Sequence, residues 1–411
     1  MIDNWTRQRR GEYFFALGSV EERGIYHLQA NKSHEIYVEF CNVCGPADGD
    51  ENETVMDAAP GVRLGGAEVR NSDDLINQAV ELAREADIVI AVVGLNADFE
   101  TEGYDRKTLA LPGRTDELIQ KVAKVNKNTV VVTQAGSAIT MPWVDAVPSI
   151  VHAWYLGNAT GDAIAQVLLG HVNPAGRLSL TFPKRLEDVP SYASFSLENG
   201  KVRYSEDLLV VCPTRRFTFL VRSGKALSVI LFFLPISHRA TSTITRSVSS
   251  PFSTSGKGEV LSSPGQRFLI SDRSHGLSYT SFQYSDLKLS EPAYTDGDIN
   301  VTATLTLTNT GSVTGSEVVQ LYVTLPTTVE YTHPPLQLKG FKKVKDMKAG
   351  GSEKVTLELD KYAVSYWDEK YSTWNVDRGA YTVRIGGSSA EGSLVLSSQF
   401  EIPKSFTWNG L

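Results

Sequence analysis

Hydrophobic and polar positions follow three regimes along this chain. Up to residue 70 they alternate, as in Glu12-Tyr-Phe-Phe-Ala16 and His34-Glu-Ile-Tyr-Val-Glu-Phe40, which predicts β-strands with one buried face. Strands starting abruptly at residue 12 suggest part of a sheet, with an exposed edge and half a core. From Asn71 the pattern changes to alternating helices and strands. Ser72, followed by Asp73 and Asp74, opens a helix with Leu75, Ala79, Leu82 and Ala83 on its inner face. A buried strand over 88–93 follows, then a helix over 115–126, strands over 129–133 and 149–153, and a helix over 161–169. Continuous apolar strands between amphipathic helices imply a parallel sheet covered on both faces. After residue 280 the alternation returns in Asn300–Asn309, Glu317–Val323, Lys354–Leu359 and Gly379–Ile385. Turn residues separate these runs, which suits a small antiparallel sandwich of immunoglobulin or fibronectin type III kind.

Residues 208–273 break both periods. Leu209-Val-Val-Cys-Pro-Thr-Arg-Arg216 and the Ser/Gly-rich Ser249-Ser-Pro-Phe-Ser-Thr-Ser-Gly256 hold neither an alternation nor a helical stripe. A structureless stretch of this length is foreign to a compact domain. It is read as an aberrant or disordered insertion: a retained intron or shifted frame, or a lineage-specific addition. A transcript encoding all of 208–273 in frame retires the first account.

Composition narrows the function. A chain of 411 residues suffices for two or three domains. A net charge of −7 without a basic stripe argues against a nucleic-acid partner. The longest apolar run, Val229-Ile-Leu-Phe-Phe-Leu-Pro235, is far short of the roughly 20 residues that span a bilayer. Met1–Arg10 lacks the apolar core of a signal peptide. Cys41, Cys44 and Cys212 make neither a disulfide framework nor a zinc site, since the lone CxxC has no second pair. No Gly-x-Gly-x-x-Gly follows a predicted strand, which disfavours a flavodoxin-like nucleotide binder. No metal or cofactor is expected.

The densest chemistry lies in Gly94-Leu-Asn-Ala-Asp-Phe-Glu-Thr-Glu-Gly-Tyr-Asp-Arg106, directly after the strand over 88–93. In open α/β sheets the C-terminal ends of strands are where ligands bind. Carboxylates crowded there are expected to push at least one pKa upward, giving a proton donor near neutral pH. A solvated acidic loop is the plain alternative.

This loop resembles the acid/base loop of glycoside hydrolase family 3, the β-glucosidase family. Asn173-Pro-Ala-Gly-Arg-Leu-Ser-Leu-Thr-Phe-Pro183, Val202-Arg-Tyr-Ser-Glu-Asp207 and His275-Gly-Leu-Ser-Tyr-Thr-Ser-Phe282 resemble other stretches of that family, in its order. The likeness covers nearly all of the chain except roughly 208–273. The first 70 residues look like the tail of a PA14 module, and a fibronectin type III-like domain closes many family members. The resemblance implies a multidomain α/β plus all-β protein. Residues 1–70 are then the end of a PA14-like β-sandwich and 71–207 an αβα sandwich carrying the acidic loop. Residues 208–273 are the insertion, and 274–411 hold the end of the α/β domain and a fibronectin type III-like sandwich.

The implied activity is retaining hydrolysis of terminal non-reducing β-D-glucosyl residues, from a β-glucoside or cello-oligosaccharide. Retaining glycosidases use two carboxyl groups about 5–5.5 Å apart, a nucleophile and an acid/base. The glutamate preceding Gly-Tyr-Asp-Arg best matches the family's acid/base. That makes Glu102 the candidate and Glu100 the runner-up. Asp105 and Arg106 are expected to brace the loop as a charge-assisted pair, with Asp98 and Tyr104 in bracing or substrate-binding roles. His152 and Trp154 read as packed core and His275 as a turn residue. The family's nucleophile is an aspartate of a preceding (β/α)8 barrel in a Ser-Asp-Trp context. That tripeptide does not occur here, so the chain is expected to be a fragment inactive alone, whose partner is the missing barrel. A non-catalytic carbohydrate-binding role using Trp367 and Trp374 is the alternative, although a hairpin pair is their plainer reading. Sequons at Asn4, Asn31, Asn52, Asn158 and Asn300 suit the secreted glycoprotein that the resemblance implies.

Overall fold

A computed structural model describes residues 2–3, 21–40, 62, 64–102, 105–195, 199–204, 228–231, 276–295, 298–327, 333–390 and 392–410. An α/β layer is built from α1 (Ser72–Glu85), β1 (Val89–Gly94), α2 (Thr115–Val125), β2 (Thr129–Gln134), β3 (Ser149–His152) and α3 (Thr160–Leu168). Its strands pair in parallel in the order β1-β2-β3-β4, with β4 (Ser228–Leu231) on the far side of β3. A short piece of the expected insertion thus enters the sheet. The rest of 208–273 lies outside the described residues, apart from the return at Gly276 just beyond it.

The two faces of the sheet are covered separately. Ile119 and Ala123 of α2 pack with Ala91, Val93, Val131 and Ile150 on one face. Ile164 and Val167 of α3 pack with Val130, Val132 and Val151 on the other. Two expectations need correction here. β1 is an edge strand rather than a fully buried one, and Ile90 and Val92 on the α3 side are 50% and 56% exposed. In α1 the buried residues are Ile76 and Ala83, while Leu75 and Leu82 are exposed. The helix starts at Ser72 as expected, capped by Asn71, whose side chain accepts the Asp73 N–H at 2.9 Å. Periodicity names an apolar stripe but not whether a neighbour is there to cover it.

The strands expected in the first 70 residues do not form among the described ones. Residues 21–40 carry no helix or strand and turn at Ala30 and Asn31, where Asn31 has φ +60°. The Tyr26 ring meets His34 edge-on at 5.5 Å across that turn, without a ladder of backbone bonds. Alternation selects which side chains share a face, but a strand also needs a partner to take its N–H and C=O groups. Glu12–Ala16 lies outside the described residues.

The C-terminal unit is a β-sandwich. One sheet has the order β10 (Ser352–Leu359), β7 (Asp298–Asn309), β5 (Phe282–Leu289), with β6 (Ala293–Thr295) also on β7. The other runs β14 (Leu394–Ile402), β13 (Gly379–Gly386), β8 (Gly315–Thr324), β9 (Gln337–Met347). Between them lie alternate side chains of each strand, including Val301, Leu305, Leu307, Leu321, Val355 and Val383, all essentially inaccessible. A short helix α4 (Lys361–Val364) leads to a small sheet of β11 (Tyr366–Asp368), β12 (Thr373–Val376) and β15 (Phe406–Trp408).

Candidate active site

Loops following β1, β2 and β3 meet at the C-terminal edge of the parallel sheet. Leaving β1, Gly94 lies so close to β2 that a Cβ there would collide with the Gln134 carbonyl oxygen, so only glycine fits. The chain then turns tightly: Phe99 and Glu100 N–H groups both donate to the Asn96 carbonyl at 3.0 Å. The Asn96 side chain accepts from the Asp98 N–H at 3.1 Å, an Asx turn that keeps Asp98 within the loop's own bonding. This turn delivers Glu100 to the neighbouring loops. Its carboxylate accepts from the Gly136 N–H at 2.8 Å, the Tyr155 hydroxyl at 2.7 Å and the Ser137 hydroxyl. Gly136 permits that approach, because a Cβ on it would press on the Tyr155 ring and the Glu100 carboxyl group. Arg106 donates to the Ala138 carbonyl at the loop's far end.

Two residues further on, Glu102 is exposed and makes no hydrogen bond or ion pair among the described residues. The two glutamates therefore stand in opposite environments, one gripped by donors and one presented to solvent. Crowding does not lift the Glu100 pKa as expected. Partial burial acts to raise it, but hydrogen bonds from Ser137, Tyr155 and Gly136, with the Arg106 charge, outweigh burial and hold it below its usual value. Tyr155 moves oppositely: burial first, then its bond to Glu100, push its pKa well up.

Of the remaining expected residues, Arg106 braces the loop, but through Ala138 and the field of Glu100 rather than through Asp105. Asp105 is exposed and forms no ion pair among the described residues. Adjacent side chains in an extended stretch diverge, which keeps those two apart. Tyr104 and His275 lie outside the described residues. His152 is core, 2% exposed, bonded through Nδ1 to the Thr133 hydroxyl at 2.9 Å and packed edge-on against Trp154 and Phe182. Burial pulls its pKa down to about 4 against the opposing pull of Glu100. Trp154 adopts φ +48°, a strained backbone at the strand's C-terminal end. Ser137, Tyr155 and Gly136 were absent from the sequence reading. Their signal was positional, since they follow the two neighbouring strands at the same sheet edge.

Residues 16–211 match the glycosyl hydrolase family 3 C-terminal domain, and 317–389 match a fibronectin type III-like domain. The chain carries the C-terminal domain of glycosyl hydrolase family 3. Along its whole length it is 36% identical to a probable β-glucosidase I of Aspergillus oryzae and 38% identical to that of Emericella nidulans. It spans only 43% of the length of each. A crystal structure of β-glucosidase from Kluyveromyces marxianus in complex with glucose superposes with a TM-score of 0.64 at 32% identity, over 84% of this chain and 35% of that one. β-Glucosidase 3B from Thermotoga neapolitana in complex with glucose gives 0.60 at 28% identity, over 82% and 40%.

Within this family 3 region the Asn173–Pro183 stretch serves as a clasp between domains. Arg177 Nη2 donates to both carboxylate oxygens of Glu317 of β8 at 2.6 and 2.8 Å, with side-chain exposures of 11% and 5%, and the Tyr284 hydroxyl also donates to Glu317. Asn173 accepts from Ser278 and the Tyr279 N–H and donates to the Thr314 carbonyl. Trp367, Trp374 and Trp408 sit in direct register across β11, β12 and β15, with Trp374 stacked on Trp408 at 5.3 Å. They form the hairpin pairing expected of Trp367 and Trp374, extended by a third ring. Asn31, Asn158 and Asn300 are exposed, while Asn4 and Asn52 lie outside the described residues. Among the described residues no cluster of three or more His, Cys, Asp or Glu could hold a metal, and no helix is long and apolar enough to cross a membrane.

Proposed function

We propose that this chain supplies the acid/base half of a retaining β-glucosidase site, with Glu102 as the proton donor and Glu100 as the anchor of its loop. The observation that carries this is the contrast between the two carboxyl groups. Three donors and a nearby guanidinium stabilise the charged form of Glu100, which makes it a poor acid. Glu102, fixed two residues away, is free to present its carboxyl group to a substrate beyond the sheet edge. In the first step protonated Glu102 gives its proton to the departing glycosidic oxygen while a nucleophilic carboxylate takes the anomeric carbon. In the second, the Glu102 carboxylate takes a proton from water as that water displaces the nucleophile.

The names of the Aspergillus oryzae and Emericella nidulans relatives, and their greater length, support a β-glucoside as substrate and a nucleophile supplied by the part this chain does not match. The chain alone is then inactive. Purified chain assayed with an aryl β-glucoside should show no turnover above buffer; hydrolysis abolished by Glu102→Gln would contradict the half-site reading. Exposed Asn31, Asn158 and Asn300 support a secreted glycoprotein.

A further inference from the structure

The small sheet of the C-terminal unit carries one tryptophan on each of its strands β11, β12 and β15. Trp367 pairs with Trp374 and Trp374 with Trp408, so direct register sets all three indoles on one face. Trp408 packs against the sandwich core, and Trp374 lies stacked on it with the two planes 7° apart. Packing accounts for those two rings. Trp367 meets Trp374 edge-on at 5.5 Å and stays 46% exposed. Tyr362 of α4 closes on the same ring at 6.0 Å, also edge-on, and is 40% exposed. Two half-exposed rings therefore flank a more deeply covered one. The Trp408 Nε1–H donates to Ser365 Oγ at 3.0 Å, whereas the buried Trp374 Nε1–H has no acceptor among the described residues.

The rings are held where they stand. Asp368 is buried and accepts the Lys370 and Tyr371 N–H groups at 2.9 and 3.2 Å, which fixes the turn between β11 and β12. It also accepts an Asn375 side-chain amide hydrogen at 3.2 Å. Asp360 caps α4 by accepting the Ala363 N–H at 3.0 Å, and Lys339 donates to the Tyr362 carbonyl at 3.1 Å. The Lys361 ammonium covers the Trp408 ring at 4.4 Å. A ligand meeting these rings has few side chains to order, which lowers the cost of binding.

Size and charge choose the occupant. A large aromatic side chain covers about 150–250 Å², so the exposed parts of Trp367 and Tyr362 together offer roughly 200 Å². A stable interface with another protein takes about 800 Å² per partner, far more than these rings supply. Around them Glu369, Lys370, Thr407 and Asn409 are all exposed and balance in charge, which suits a neutral polar ligand. In a β-glucosyl ring the equatorial substituents leave both faces lined with C–H groups, which lie against aromatic rings. Its hydroxyls, around the edge, meet polar side chains and can supply the acceptor that Trp374 lacks. We propose that Trp367 and Tyr362, on either side of Trp374, form a surface site for a β-glucan oligosaccharide. The site goes beyond the acid/base reading and does not depend on it, because binding here requires no turnover.

The test is fluorescence titration of the 411-residue chain with cellohexaose, with maltohexaose as the α-linked control. Cellohexaose should give a saturable change and maltohexaose none. Trp367→Ala should bind about tenfold more weakly while keeping the circular dichroism of the parent chain, and Trp367→Tyr should recover most of the affinity. Glu102→Gln should bind cellohexaose as the parent does. The parent chain also gives a readout without any variant: saturating cellohexaose should slow oxidation of Trp367 by N-bromosuccinimide, located by mass spectrometry. No saturable binding, or Trp367 oxidation unchanged by the sugar, would overturn the proposal. Binding lost in Glu102→Gln but kept in Trp367→Ala would overturn it too, by moving the ligand to the acid/base loop. A dimer mass with Trp367 protected in the absence of sugar would assign the rings to a second copy instead.

Discussion

In the C-terminal sandwich, β7, β8, β10 and β13 bury alternate side chains between two sheets, and every large aliphatic of that core is covered by the chain itself. In the α/β layer, β2 and β3 are enclosed in the same way, but β1 leaves Ile90 and Val92 uncovered and α1 leaves Leu82 in solvent. The first unit covers its own core, whereas in the second, among the described residues, an edge strand and a helix leave apolar side chains in solvent. The candidate acid/base loop springs from the incomplete strand, so the exposed chemistry and the exposed packing surface occur at one end of one element. Stability and function therefore draw on different parts of the molecule.

The sharpest way to break this contrast is at the clasp. Glu317→Ala strands the Arg177 guanidinium in a nearly dry site and should cost about 3–5 kcal/mol in denaturant unfolding. The double change Arg177→Met/Glu317→Met should recover most of that loss, because two apolar side chains need no ion partner.

Next in size is a pH effect confined to the α/β layer. The folded His152 pKa, about 4, lies below its ordinary 6.5, so the unfolded chain takes up the proton first. Stability is then complete above pH 6.5 and declines as pH falls toward 4, by about 3 kcal/mol in all. Thermal melts across that range should show the decline in the parent chain and a flatter curve in His152→Gln.

Glu100→Gln should cost about 1–2 kcal/mol locally by weakening charge-assisted bonds from Ser137, Tyr155 and Gly136. Because the Glu100 pKa is depressed, its contribution is present above pH 4.5 and lost as pH falls below it. Exchange at the Gly136 amide above and below that pH reads this directly. The smallest effect belongs to the uncovered face, where Ile90→Lys in the isolated chain should change stability by only about 0.5 kcal/mol. Val132→Lys, one strand inward, should unfold the layer.

Four strands of the sandwich, β7, β8, β10 and β13, were legible in the sequence because alternation, ladder and core agree there, whereas β5, β9 and β14 were not read. The helices of the α/β layer and strands β1 to β3 were equally plain, with boundaries off by one residue, whereas β4 lies in the stretch whose pattern had been read as structureless. What periodicity could not supply was the presence of neighbours. It marked His34–Phe40 as a strand and Leu82 as an inner residue, and among the described residues neither has the partner that would make it so. The acidic loop was visible through its charge density, whereas the donors that separate Glu100 from Glu102 come from loops 36 to 55 residues away and appear only once the sheet is assembled.

The central claim is that Glu102, not Glu100, hands over the proton. Its most direct test splices this chain behind the unmatched N-terminal part of the Aspergillus oryzae relative and measures kcat for aryl β-glucosides of graded leaving-group pKa. Glu102→Gln should lose at least 100-fold on poor leaving groups and far less on good ones, while Glu100→Gln loses a similar factor on both. The reverse pattern, leaving-group dependence appearing in Glu100→Gln and absent in Glu102→Gln, would contradict the account.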